Sequence, residues 1–286
     1  MLLAVQEGLL RDEKLDVKLQ EFATGRDAFR AVMEGRLDVS TVYTTPVLLQ
    51  TASGPPPRIL TMMHQSGQNT ALVARADRGI RAAQDLRGKT VGVPHDTNAE
   101  FFLRTLLEFE GVGWEEVRIV DVRAQDVPDT LAAGRIDAAA IWEPICDRAV
   151  RALGPGGSVT LRSDAYTDIS MLVTRPDILA SRRAALGATL RALARAEKVA
   201  SADPDRLLRA VHASLPEIGA DELRVQLRRF RLQLGVSHLL VQNLRSEAEW
   251  FTRAGRMPTT ADLRSLVVTD LLDEVEPDLV TLEANP

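Results

Sequence analysis

"DAFRAVMEGRLDVSTVYTTP" occupies residues 27–46, and "DVPDTLAAGRIDAAAIWEP" occupies residues 126–144. The two run in the same order: a short helical pattern, Gly-Arg-apolar-Asp, an apolar run, then polar or aromatic residues closing on proline. Gly35 and Gly134 stand where a helix stops, because glycine adopts the left-handed C-terminal conformation without strain. Residues 39–42 and 138–141 read as buried strands. A further strand pattern precedes each copy, "LDVKLQEF" at 15–22 and "VRIVDV" at 117–122. Strand, helix, strand is a βαβ unit, and a parallel sheet needs helices on its faces. Two such units about a hundred residues apart predict two α/β lobes.

Polar passages divide the chain further. "RADRGIRAAQDLRGK" at 75–89 reads as a crossing from one lobe to the other, and "RSDAYTDISMLVTRPDIL" at 162–179 as the return. The expected organisation is therefore 1–78 as the first part of lobe 1, 79–169 as lobe 2, and 170–286 as a return to lobe 1 with C-terminal helices. A chain that crosses twice makes a hinge. After Pro176 helical patterns dominate. Residues 182–203 carry Ala185, Leu186, Leu190 and Leu193 at helix spacing, and Pro204 opens the next helix. "ADELRVQLRRFRLQL" at 220–234 reads as a third, and 246–258 and 260–275 close the series.

The totals restrict the function classes. The chain has 286 residues, 45% of them hydrophobic, and a formal net charge of -5. That balance argues against a nucleic-acid binder carried by a broad basic field. The single cysteine, Cys146, rules out an intramolecular disulfide and any zinc site built on a cysteine cluster. His64, His95, His212 and His238 lack metal-ligand spacing. Nothing implies a cofactor. No apolar stretch reaches the roughly 18 residues of a membrane helix. "MLLAVQEGLLRDEKLDV" lacks the basic start and long apolar segment of a secretory signal, and reads as the middle of a domain.

Candidate binding residues lie at strand ends, because strand ends of such sheets face a crevice. "KTVGVP" at 89–94 reads as a strand in which Gly92 allows close approach. The polar break His95–Asp96–Thr97–Asn98 then leads into a helix with Phe102, Leu103, Leu106 and Leu107 on one side. Thr97 and Glu100 match a capping box. The first-turn amides and helix dipole favour an anion, with Asp96, Thr97 and Asn98 adding side-chain contacts; an ordinary capped loop is the plain alternative. Thr44 and Thr45 follow the first repeat's strand as hydroxyl donors or helix caps. Trp142 and Glu143 follow the second. Trp142 offers an apolar wall or fills the core, and Glu143 holds a ligand cation or pairs with an arginine. Gln65, Ser66 and Gln68 in "HQSGQN" at 64–69 are possible donors. Asp168 is a ligand contact or a solvated turn.

Residues 4–46, 79–112, 131–144 and 267–277 together resemble solute-binding proteins of ABC importers of the nitrate, sulfonate and taurine class, which includes binders of thiamine-pyrimidine precursors. The resemblance implies a type II periplasmic-binding fold: two α/β lobes closing over a small anionic or zwitterionic molecule, for delivery to a membrane permease by a monomer. It implies that the loop of Asp96, Thr97 and Asn98 holds the acidic group, and that Trp142, Glu143, Thr44, Thr45 and Gln65 line the cleft. Against that family the export signal and first strand are missing. A start upstream of residue 1 implies an extracytoplasmic protein, and a chain complete as given a cytoplasmic one. Two rivals share the architecture. One is an enzyme resembling either fungal thiamine-pyrimidine synthase, whose cysteine-rich motif is missing here, or small-molecule lyases. The other is a ligand sensor like the effector domains of LysR-type regulators, without their DNA-binding helices.

Overall fold

A computed structural model describes residues 1–258 and 263–282. Residues 260–262 of the last expected helical segment lie outside the described residues. Ten strands occur among the described residues: β1 Val39–Tyr43, β2 Arg58–Ser66, β3 Thr70–Arg75, β4 Thr90–Val93, β5 Arg118–Asp121, β6 Ala138–Trp142, β7 Ser158–Leu161, β8 Asp168–Thr174, β9 Arg231–Ser237 and β10 Val280–Thr281. The chain forms two compact units, Met1–Gln65 with Ile169–Pro286, and Ser66–Asp168. The second unit thus takes in β3, and the chain enters it ahead of the polar stretch 75–89.

The first unit holds a five-stranded sheet in the order β1-β8-β2-β9-β10. β1 pairs antiparallel with β8, and β9 antiparallel with β2. The helix Arg183–Ala202 lays Leu186, Leu190 and Leu193 against Leu60, Leu172, Leu234 and Val236 of the sheet. Burying each such side chain contributes about 1.5–3 kcal/mol. Two expectations fail in this unit. Residues 15–22 form no strand, so the first repeat is not a βαβ unit, and β1 is an edge strand rather than a buried one. The expected helix 220–234 stops at Leu227, and its second half enters β9. Leu232, Leu234 and Val236 alternate with Gln233 and Gly235, a period of two that suits a strand.

The second unit holds the sheet β5-β4-β6-β3-β7, with β4 parallel to β5 and β6, and β3 antiparallel to β6 and β7. Here the βαβ expectation holds: β5, the helix Val127–Ala132 and β6 follow in order, and both strands run parallel to β4, which lies between them. Phe102, Leu103, Leu106 and Leu107 are all buried against Leu72, Val91, Ala138 and Ala140. The close approach at Gly92 is to the protein's own core. A Cβ there would lie 2.7 Å from Ile136 Cδ1 and 3.0 Å from Val122 Cγ2.

The repeat persists in three dimensions and is longer than its sequence match. Gly35 and Gly134 have φ of 81° and 67°, as the C-terminal position requires. Each repeat strand pairs antiparallel with a strand ending in arginine, β1 with β8 before Arg175 and β6 with β3 at Arg75. Arg75 Nη1 donates to the carbonyls of Leu131 and Ala132 at 2.7 and 3.1 Å. Arg175 Nη1 donates to those of Val32 and Leu37. Both guanidiniums thus reach carbonyls at or just beyond a helix C-terminus, where positive charge is favoured. Each is held by a carboxylate two residues on, Asp77 and Asp177. These hydrogen bonds keep both carboxyls below the usual aspartate range.

Candidate functional site

In the second unit, β4 ends at Val93, and Pro94 to Thr97 turn the chain into the helix Asn98–Phe109. Asp96 sits at φ 59°, a left-handed conformation that aspartate tolerates better than most residues. The expected capping box does not form. Thr97 Oγ1 donates to the carbonyl of Pro94 at 2.6 Å instead of accepting from the helix. Glu100 Oε2 accepts from the amide of Asp96 at 2.8 Å, one residue ahead of the expected partner. The physical result is an open helix end. Among the described residues no hydrogen bond takes up the amides of Thr97, Asn98 and Ala99. Such an end is favourable for negative charge.

Asn98 is fixed from beneath. Its Nδ2 donates to Asp168 Oδ1 at 2.7 Å and lies 3.1 Å from Thr70 Oγ1. Asp168 also accepts from Asn69 Nδ2 at 3.0 Å, Thr70 Oγ1 at 2.6 Å and Tyr166 OH at 2.7 Å. Tyr166 packs its ring against Phe101 and Phe102 of the same helix. Asp168 is 1% exposed, so it is neither a solvated turn nor an exposed ligand contact. Burial pushes its carboxyl up from the usual aspartate value, and the four donors oppose that. Sequence reading missed this cluster. Its one signal was Asn69-Thr70 at the start of an otherwise apolar strand, a position where polar side chains need partners.

Trp142, half-buried at the end of β6, lies opposite Thr70 and borders both apolar clusters of the unit. Glu143 takes the arginine-pairing alternative. Its side chain is 2% exposed, with Arg162 Nη2 3.6 Å from Oε1. Its Oε2 accepts the amide of Asp147 at 3.1 Å, in the first turn of the helix Ile145–Leu153.

The first unit holds the other candidates. Thr44 and Thr45 are the first residues of the helix Thr44–Ser53, and both are buried. Thr45 Oγ1 donates to Glu247 Oε1, on a fully buried side chain of the helix His238–Arg253. The Thr44 hydroxyl makes no hydrogen bond among the described residues. Gln65 Nε2 donates to Gln233 Oε1 at 2.8 Å, across the β2–β9 pair. Next to it, His64 Nε2 lies 3.2 Å from Tyr43 OH, and the ring stands edge-on to Tyr43 and Phe230. Burial lowers His64 to a pKa of about 4, so the imidazole is neutral at pH 7. Glu247 and Gln233 have no sequence signal, since each lies more than 160 residues from its partner.

The model of a family described as NMT1/THI5 like matches residues 1–207. The chain belongs to the NMT1/THI5-like family. This NMT1/THI5-like chain is 25% identical over 207 residues to a Brucella abortus protein named as a binding protein, covering 71% of this chain and 63% of the relative. It is 26% identical over 148 residues to the taurine-binding periplasmic protein of Escherichia coli, covering 52% and 44%. The chain thus spans less than two thirds of the length of the curated relatives it matches. The solved alkanesulfonate-binding protein of Xanthomonas axonopodis pv. citri, bound to MOPS, superposes with a TM-score of 0.79 at 16% identity, covering 93% of each chain. That likeness establishes the architecture: a two-lobed α/β fold of the type II periplasmic-binding class with a helical C-terminal region.

Proposed function

We propose that this chain binds a small anionic or zwitterionic solute and delivers it to an ABC-type permease, outside the cytoplasm. The observation that carries the reading is the open helix end at Thr97, Asn98 and Ala99, with the neighbouring polar side chains already engaged elsewhere. Amides held on a rigid helix bind a sulfonate, carboxylate or nitrate without reorganisation, and do so more strongly as water leaves the site. The names of relatives support a sulfonate as the ligand class, since taurine and alkanesulfonates both end in a sulfonate. In this reading Asp96 and Asn98 flank the anion, Trp142 walls the apolar part, and Glu143, paired with Arg162 in the free chain, exchanges that pair for the ammonium of a zwitterion.

The test is calorimetric titration with taurine, an alkanesulfonate, nitrate, an aromatic acid and a formylaminopyrimidine, on the natural chain and on Thr97→Asp. Aspartate is a strong N-cap, so the fold is kept while its carboxylate takes the helix amides. The expected result is binding of at least one sulfonate or carboxylate, weakened about tenfold or more in the variant. Unchanged affinity in Thr97→Asp would remove the helix end from the site, and no binding across the panel would overturn the ligand class.

A further inference from the structure

Asn98 opens the helix Asn98–Phe109 and is 4% exposed. A side-chain amide carries two donor hydrogens on nitrogen and an acceptor oxygen. Both donors of Asn98 are spent inside the second unit, since Nδ2 lies 2.7 Å from Asp168 Oδ1 and 3.1 Å from Thr70 Oγ1. The chemistry of those partners fixes which way the amide faces. A carboxylate only accepts, and the Thr70 hydroxyl has already given its hydrogen to Asp168 Oδ2 at 2.6 Å. Reversing the amide would set its oxygen against two oxygens with no hydrogen between them. Asn98 Oδ1 is therefore held on the edge turned away from Asp168. Tyr166 OH reaches the backbone carbonyl of Asn98 at 3.2 Å, not the side chain. Among the described residues Oδ1 accepts no hydrogen bond, although more than nine tenths of the residue is buried. A buried acceptor of this kind is costly to leave without a donor.

The hydroxyls around this turn are spent in the same sense. Thr97 gives its hydrogen to the Pro94 carbonyl at 2.6 Å, and Thr70 and Tyr166 give theirs to Asp168. From these residues an incoming molecule meets donors in the backbone amides of Thr97, Asn98 and Ala99, and an acceptor in Asn98 Oδ1. A plain anion satisfies the amides but sets its oxygens against that acceptor. An anion that also brings a hydrogen satisfies both. We infer that Asn98 is a specificity-determining residue, whose Oδ1 selects an anion bearing an N–H or O–H donor close to its acidic group over a plain anion. The inference rests on the anion site proposed above and narrows its ligand class. Amino- and hydroxy-substituted sulfonates or carboxylates are favoured over simple alkanesulfonates and nitrate. Asp168 acts through Asn98, as the positioning group that keeps the acceptor edge available.

Calorimetric titration with two ligand sets tests it: ethanesulfonate, isethionate, taurine and N,N,N-trimethyltaurine, and the carboxylates of the same four skeletons. Isethionate adds a hydroxyl donor without adding charge. Trimethyltaurine keeps the charge of taurine without an N–H, so the attraction of Glu143 for a cation is common to both. On the natural chain, in whichever set binds, the hydroxy acid is expected to bind about tenfold more tightly than the unsubstituted acid, and the primary ammonium about tenfold more tightly than its trimethyl form. In Asn98→Leu, similar in size but unable to accept, both ratios fall to within about twofold. Where that variant does not melt cooperatively, Asn98→Ala is read in its place. Ratios near one on the natural chain, with binding intact, overturn the acceptor role and leave the anion site standing. Ratios that persist in the folded variant put donor recognition on another residue and overturn the assignment to Asn98. No binding in either set overturns the anion site itself, and the inference with it.

Discussion

Asp168 carries the largest burden placed on any single side chain near the site. Its two oxygens take hydrogen bonds from Asn69, Thr70, Asn98 and Tyr166, which belong to three segments of the second unit. Asp168→Ala leaves those buried donors without an acceptor, at a cost of roughly 3 kcal/mol or more. Urea unfolding measures this, and Asp168→Asn recovers part of it by keeping one acceptor. At His64 the expectation concerns pH. Its folded pKa of about 4 lies below the ordinary value of 6.5, so the unfolded chain binds the proton more readily. The stability this group contributes is complete above the ordinary value and is lost as pH falls toward 4. By linkage the loss is about 2 kcal/mol at pH 5. Equilibrium unfolding at pH 7.5 and 5 reads it, and His64→Phe removes that component of the difference. For Glu143, replacement by Gln lowers affinity for a zwitterion such as taurine by about fivefold and leaves a simple sulfonate within about twofold. Paired titrations decide, since equal losses for both ligands confine Glu143 to its contacts with Asp147 and Arg162.

Between elements, Gly92 sets how closely β4 approaches the segment around Ile136 and Val122. Gly92→Ala overpacks that contact and costs about 1–3 kcal/mol. Ile136→Val removes the nearer methyl, so the double variant recovers most of the loss, and a thermodynamic cycle on the four proteins measures the coupling. β9 shows a different constraint. Gly235 lies at φ 136°, and a Cβ there would come within 2.8 Å of the Leu279 carbonyl. At the same place its amide donates to Thr61 Oγ1 beside a shift in the β2–β9 register. The backbone of β9 is thus fitted to both neighbours, which a helical continuation from Leu227 would forgo.

For the whole molecule, ligand binding and stability are linked. A solute held by the folded chain and not by the unfolded one stabilises it by about 2.7 kcal/mol at a hundred times its dissociation constant. A thermal melt with a saturating sulfonate is therefore expected to shift upward, and the shift is expected to vanish in Thr97→Asp. If instead the variant melts with the same ligand shift, the anion lies elsewhere on the molecule.

By itself the sequence determined the two-unit α/β architecture, through the repeat of residues 27–46 and 126–144 and the apolar face of the helix Asn98–Phe109. These signals are local: glycine at a helix end, period-2 and period-3.6 burial, a polar break after a strand. They follow from backbone sterics and from which face meets the core. The helix end at Thr97–Ala99 was legible for the same reason. The tertiary structure alone decided which polar groups are engaged. Thr97 turns to Pro94, Glu143 to Asp147 and Arg162, Thr45 to Glu247, and four donors converge on Asp168. It also decided that 231–237 is a strand and not the continuation of a helix. A strand exists only where a neighbour supplies its hydrogen bonds, and a buried polar group settles on whatever partner the fold brings within about 3 Å. Neither partner is written in the spacing of residues along the chain.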